Sequence, residues 1–371
     1  MSAHKQRGFT LVELMISMVI SLLVGLAALS SMKFFMALQR QSTGVNASSV
    51  NTTTAFAALK SESAQAGLGF FYKGKFACTS FNVSKDNTTV LDNAPAMPVS
   101  ITVTNNVPKL TLTYATALES AASSGLFAGT TNNTGTAQIT TYLPIGAGQS
   151  VLLVPSALNT PCSLKTVTEV VDSTGSGQTL VFDPTGANNA VAFTEVAYAT
   201  GDGVLLTGSL QQTRFTVDTK NQLVMSRPMD GTSAVIAKDI VAIGMQYGIS
   251  EVGRNAIAGW RYPLPYPSLD SGAEDWSAPT AAQVGSQVKA IRISVLNRSQ
   301  QKDKAVDGKC TTTESMPSLF GVVLGQVADS SLGLDSGKVL NPALTGDWQC
   351  YRYSESTVTL PLRNLVLGTQ T

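Results

Sequence analysis

Nineteen consecutive residues without a charge, Leu14–Met32, limit what this chain can become more than any other feature. Wound as a helix at about 1.5 Å per residue, they reach across the roughly 30 Å hydrocarbon core of a bilayer. Lys5 and Arg7 precede the run, so that side is expected to face the cytoplasm. Lys33 and Arg40 follow it and weaken the asymmetry. A cleaved secretory signal with small residues near Ala27–Ser31, or a permanent signal anchor, fits this outline. Neither accounts for Glu13, which stands at the head of the apolar run. A carboxylate inside an apolar helix costs about 2.5–3.5 kcal/mol on insertion scales, so Glu13 needs a partner.

Composition narrows the rest. Only 13% of the 371 residues are charged, against about 25% in an ordinary soluble protein. With 43% hydrophobic residues the chain is still too apolar for disorder. Lys and Arg number 25 against 24 Asp and Glu, so no overall basic field recruits nucleic acid, and no such partner is expected. The single histidine is His4, close to the start. If that segment is a removable leader, triads with histidine, Cys-His pairs and HExxH zinc sites are excluded. Paired carboxylates survive that test, but no constellation argues for them. The expectation is a chain that is not an enzyme and holds no cofactor.

The start of the chain carries a pattern. Gly8-Phe9-Thr10-Leu11-Val12-Glu13, after a short basic segment and before the apolar run, resembles the processing site of type IV pilins and pseudopilins. The resemblance implies a leader over 1–8, cut after Gly8 by a prepilin peptidase that then methylates Phe9. It also makes Glu13 an assembly residue, paired with the N-terminal amine of an adjacent subunit. Physics agrees, because a hydrogen-bonded ion pair offsets most of the cost of a buried carboxylate.

No proline occurs before Gly67, so one helix over 9–66 is expected, membrane-spanning at about 14–32. The Ser/Thr/Asn-rich stretch 42–54 has poor helicity and must be held by packing, with Val45, Phe56 and Leu59 as sparse anchors. Gly44 and Gly67 are weak points, and Gly67-Leu68-Gly69 ends the helix. From 67 to 371 the pattern is strands and turns, with alternation at 100–104, 110–114, 151–154, 166–171, 179–182, 191–198, 210–217, 222–226, 240–249, 288–295 and 351–360. Ile291, Ile293 and Val295 share one face, Arg292 and Ser294 the other. Stretches 117–137 and 173–189 read as loops, and the Pro- and Tyr-rich piece 260–279 reads as an ordered loop without strands. The fold class is α+β: a long N-terminal helix packed on a large, mainly antiparallel head.

A second, weaker likeness lies further along. Ala66-Gly67, Gln246-Tyr247-Gly248, Ala290-Ile291-Arg292-Ile293 and Pro361-Leu362-Arg363-Asn364 occur in the order seen in PilW-type minor pilins. They cover the helix and the last third of the chain, and leave about 80–220 unmatched as a candidate insertion. This resemblance implies a minor pilin that primes filament growth with other minor pilins and the major pilin, with a place at the tip. It would sit in the inner membrane, N-terminus cytoplasmic and head periplasmic, before entering the pilus. A minor pseudopilin of type II secretion and a ligand-binding tip adhesin are the alternatives. The family's helix-kinking proline corresponds to Ser30, so the kink is expected to be absent.

Four cysteines, Cys78, Cys162, Cys310 and Cys350, include no CxxC pair and lie outside the apolar run. In an exported head they are expected as disulfides, and sequence neighbours suggest Cys78–Cys162 and Cys310–Cys350, one of three connectivities. Asp270, Glu274 and Asp275 are a calcium candidate without EF-hand spacing, and a solvated turn is the plainer reading. Trp260, Tyr262, Tyr266 and Trp276 read as a cover folded over a sheet, with a sugar- or surface-binding patch as the alternative.

Overall fold

Leu11–Gln65 forms one unbroken α-helix. The computed structural model describes residues 10–72, 75–116, 122–157, 160–173, 177–266, 274–303, 305, 308–327 and 339–367. With no proline to break the ladder, the helix passes through Ser30, whose hydroxyl donates to the Ala27 carbonyl at 2.8 Å. Its described side chains from Leu11 to Met36 are exposed, and Thr52 is the first described side chain that is buried. Thr52, Ala55, Leu59, Glu62 and Ala66, three or four residues apart, form the stripe laid on the head. Phe56 is half-buried beside it, whereas the side chain of Val45 lies outside the described residues.

The chain is α+β, as expected, and its sheets are mainly antiparallel. Two sheets receive the helix. One has five strands in the order Thr232–Lys238, Gln222–Arg227, Leu210–Val217, Val107–Ala115 and Val99–Thr104. The other has four, in the order Gly259–Arg261, Ile240–Ile249, Val288–Arg298 and Tyr353–Pro361. One hydrophobic core joins them: Ala55, Leu59 and Ala66 of the helix meet Leu110, Leu112 and Phe215 of the first sheet and Ile243, Ile291 and Ile293 of the second.

Beyond them lies a six-stranded sheet, Thr88–Pro95, Ser80–Lys85, Cys162–Thr166, Ser150–Val154, Gly203–Leu206 and Ser123–Gly125. Its one parallel pair joins Ser80–Lys85 to Cys162–Thr166. Apolar residues cover both faces, so Ser150–Val154 is buried at every position and reads as a continuous run instead of an alternation. Leu152 and Val154 face Phe70, Phe81 and Leu164. Val151 and Leu153 face Ile139, Leu180 and Tyr198, beneath the three-stranded sheet Glu169–Ser173, Gly177–Val181 and Thr136–Ile139. Stretch 80–220 is thus divided: Val99–Thr104, Val107–Ala115 and Leu210–Val217 belong to the sheet under the helix.

Several strand expectations need correction. The run 166–171 is two strands, because Val167 N–H donates to Gln149 and Thr168 N–H to Val181, passing the chain from one sheet to another. In 191–198 only Ala197–Tyr198 is a strand. Side-chain amides replace the ladder there: Asn132 binds the Thr194 carbonyl and the Val196 N–H, and Asn133 binds the Phe193 carbonyl. Strands Ser80–Lys85 and Thr88–Pro95 carry no clean alternation in the sequence. They are paired through Asp86 and Asn87, both at positive φ, the geometry of a tight hairpin turn. Gly177–Val181 realises the strand expected at 179–182 and starts two residues earlier, within the loop-like stretch 173–189.

The piece 260–279 is not strand-free. Gly259–Arg261 adds to the four-stranded sheet, and Pro265–Tyr266 pairs with Glu274–Asp275. Trp260 lies opposite Gly248, where a Cβ would stand 2.8 Å from its ring. On the same face of the sheet, away from the shared core, Leu319 and Leu324 of the Cys310–Cys350 segment pack on Ala242 and Leu296.

Candidate functional site

The start of the helix is built from Thr10 and Glu13. Thr10 is the N-cap, and its hydroxyl accepts from the Glu13 N–H at 3.3 Å. Glu13 Oε2 in turn accepts from the Thr10 N–H and hydroxyl, each at 3.0 Å. This reciprocal box satisfies two of the donors that a helix start leaves open and sets a carboxylate at the positive end of the helix dipole. Gly8 and Phe9 lie outside the described residues. Behind the box, Leu11–Met36 is an exposed apolar helix of 26 residues, long enough to cross the roughly 30 Å hydrocarbon core.

The other end of the helix is seated by polar groups that sequence reading passes over. Glu62 is buried, and its carboxylate accepts from Tyr114 at 2.8 Å, Thr213 at 2.8 Å and Arg227 at 2.7 Å. These partners come from three neighbouring strands of the five-stranded sheet. Burial pushes the Glu62 pKa up, but the hydrogen bonds from Tyr114, Thr213 and Arg227 and the Arg227 charge outweigh it and hold it below the ordinary value. The signal was present: Glu62 continues the spacing of Thr52, Ala55 and Leu59 on the buried stripe. A glutamate beside Lys60 in a polar stretch nonetheless reads as solvent-facing.

The dispersed C-terminal motifs divide between this seat and the far face of the four-stranded sheet. The Asn364 amide donates to the carbonyls of Ala64 and Ala66, both at 3.1 Å, closing the end of the helix. Leu362 and Leu365 beside it are fully buried. Gly67, at φ +77°, leaves the space that Leu365 fills. Tyr247 is buried in the shared core, where its hydroxyl accepts from the Ile101 N–H at 2.5 Å. Arg292 donates to Gln246 Oε1 at 2.9 Å and lies between the rings of Trp260 and Phe320, 4.6 and 4.8 Å from their centroids.

Cys78 is bonded to Cys162 and Cys310 to Cys350, and no described cysteine is free. The first bond joins the entry of the six-stranded sheet to its centre. The second closes the segment that covers the four-stranded sheet, where Glu355 accepts from Ser294 and from the Phe320 N–H. Asp270 and the Glu274 side chain lie outside the described residues. Asp275 is exposed and accepts from the Ser277 N–H and hydroxyl, a turn of its own. Among the described residues no three His, Cys, Asp or Glu side chains gather as metal ligands. Of the four aromatics, Trp276 and Tyr262 are buried as cover, Trp260 is half-buried, and the Tyr266 side chain is outside the described residues.

Residues 3–29 match the prokaryotic N-terminal methylation motif. No curated protein matches the chain. Among solved structures, a type IV-like pilin from Thermus thermophilus is similar at 14% identity, covering 43% of this chain and 70% of its own, with a TM-score of 0.22. So small an overlap assigns no fold. The chain therefore carries a methylation motif at the head of an exposed apolar helix, and the helix is seated on a β-rich head.

Proposed function

We propose that the chain is a minor pilin of a bacterial type IV pilus, of the PilW type, with a structural and not a catalytic role. A prepilin peptidase would remove residues 1–8 and methylate Phe9. The mature subunit would be held in the inner membrane by Leu11–Met36, its N-terminus cytoplasmic and its head periplasmic. With other minor pilins it would prime growth of the major-pilin filament and stay at the tip.

The observation that carries this reading is the combination at the N-terminus. The methylation motif at 3–29 leads into a helix whose described apolar side chains from Leu11 to Met36 have no cover from the head. Lipid or neighbouring helices must cover them. Glu13 fits the second environment, because both Thr10 hydrogen bonds fall on Oε2. In a bundle of such helices its charge would meet the amine of a neighbour's Phe9.

Glu13→Ala is the test. Removing the carboxylate lowers the insertion cost by about 2.5–3.5 kcal/mol, so membrane insertion and leader cleavage should be at least as efficient as in the native chain. A neighbour's ammonium left without its partner costs about 3–5 kcal/mol, so crosslinking to partner pilins and piliation should fall sharply. Equal crosslinking and equal piliation would sink the reading. Loss of secretion with intact pili, on deletion of the chain, would move it to a type II secretion pseudopilus.

A further inference from the structure

We propose that Asn297 and Asn364 are positioning residues that fix the direction in which the helix leaves the head. The inference rests on the pilin reading, since direction matters only if Glu13 has to meet a neighbour.

The helix is an unequal lever. From Leu11 to Thr52, the first of its described side chains that is buried, it runs for about 60 Å at 1.5 Å per residue. The seated part, from Thr52 to Gln65, is only about 20 Å long. A tilt of about 10° at the seat would carry Thr10 and Glu13 sideways by about 10 Å, the width of a helix. The apolar contacts of Ala55, Leu59 and Ala66 resist separation of helix and head. They resist tilting less well, because hydrophobic burial is non-directional.

Direction comes from hydrogen bonds at separated points along the seat. Near its start, Thr52 Oγ1 accepts from the buried amide of Asn297, at the end of Val288–Arg298. Ten residues further on, in the last turn of the helix, Glu62 is held by the five-stranded sheet. At its end, Asn364 holds two carbonyls from the C-terminal turn. The outer two therefore bracket the seat and come from different parts of the chain. Asn297 has a further mark: its Oδ1 is buried without a hydrogen-bond partner among the described residues. An apolar residue would avoid that cost, so the amide is better explained by the contact it makes with Thr52 than by stability alone.

The angle can be read in the full chain in detergent, by double electron–electron resonance between spin-labelled noncanonical residues at Ser31 and Lys220, which leaves the disulfides intact. The native chain should give one narrow distance distribution. Thr52→Val removes the acceptor for Asn297, and Asn364→Asp replaces a donor by an acceptor of the same shape. Each should widen the distribution at least twofold, while Asn364→Lys, whose ammonium still donates to the helix carbonyls, should stay narrow. Unchanged widths in both Thr52→Val and Asn364→Asp overturn the proposal, and so does equal widening in Asn364→Lys. Crosslinking to partner pilins is scored separately. If the native chain crosslinks to none while the widths change as expected, the pilin reading fails and the positioning role stands.

Discussion

At the residue scale, Gly8 and Gly67 show two kinds of demand on a glycine. Gly8 is required by the processing reading, where the peptidase has to accommodate the residue before the cut. Gly8→Val should leave the leader attached, and intact-mass spectrometry should then find the full chain, where the native protein is expected to start at methylated Phe9. A native start near Ser30 would instead identify an ordinary secretory signal. Gly67 is required by geometry. Its φ is +77°, and a Cβ would lie 2.8 Å from Leu365 Cδ1 and 3.2 Å from Pro98 Cβ. Gly67→Ala should lower stability in urea by about 1–3 kcal/mol through backbone strain and overpacking. Gly146, with nothing within 4 Å and no positive φ, is the control, and its alanine variant should stay within about 0.5 kcal/mol.

At the element scale, attachment of the helix depends on the ionisation of Glu62. Its pKa is lowered on folding, so the protein gains stability from its charged form above the unfolded value near 4.5. That gain is lost as the pH falls through the lower, folded value. Acidification below about pH 4.5 should therefore weaken the native protein more than Glu62→Gln, which has no carboxylate to protonate there. Melting curves between about pH 3 and pH 7, which bracket the titration, check this, and parallel curves would show that Glu62 has no such role. Near neutral pH Glu62→Gln should cost about 1–3 kcal/mol, the usual worth of hydrogen bonds to a charged group. The cost stays below that of a wholly buried pair because Arg227 is 38% exposed and can turn to water.

At the scale of the whole molecule, two disulfides stand outside the core that the helix shares with the two sheets. Cys78–Cys162 spans 84 residues and stands in a buried core, whereas Cys310–Cys350 spans 40 and fastens a covering segment. Replacing either pair by serine should cost about 2–5 kcal/mol. The longer loop adds about 0.6 kcal/mol to the first. Loss of Cys78–Cys162 should unfold the six-stranded sheet, while loss of Cys310–Cys350 should first loosen the cover around Leu319 and Phe320. Hydrogen exchange resolved by peptide distinguishes the two patterns, and free thiols in the native protein would void both expectations.

What the sequence determined by itself is local. Leu14–Met32 can be a membrane helix because hydropathy is a sum over neighbours in the chain. The helix end at Gly67 follows from the backbone freedom of glycine, and strands such as 210–217 and 240–249 follow from alternation. The tertiary structure decided whatever depends on distant partners. Ser150–Val154 is buried on both faces, so its pattern does not announce which sheet it joins. Residues 191–196 alternate like a strand, yet Asn132 and Asn133 supply their hydrogen bonds from sixty residues away. Glu62, Asn297 and Asn364 look like three ordinary polar residues in sequence. Only folding brings them to the helix seat, where burial makes the hydrogen bonds of Glu62 and Asn297 costly to lose.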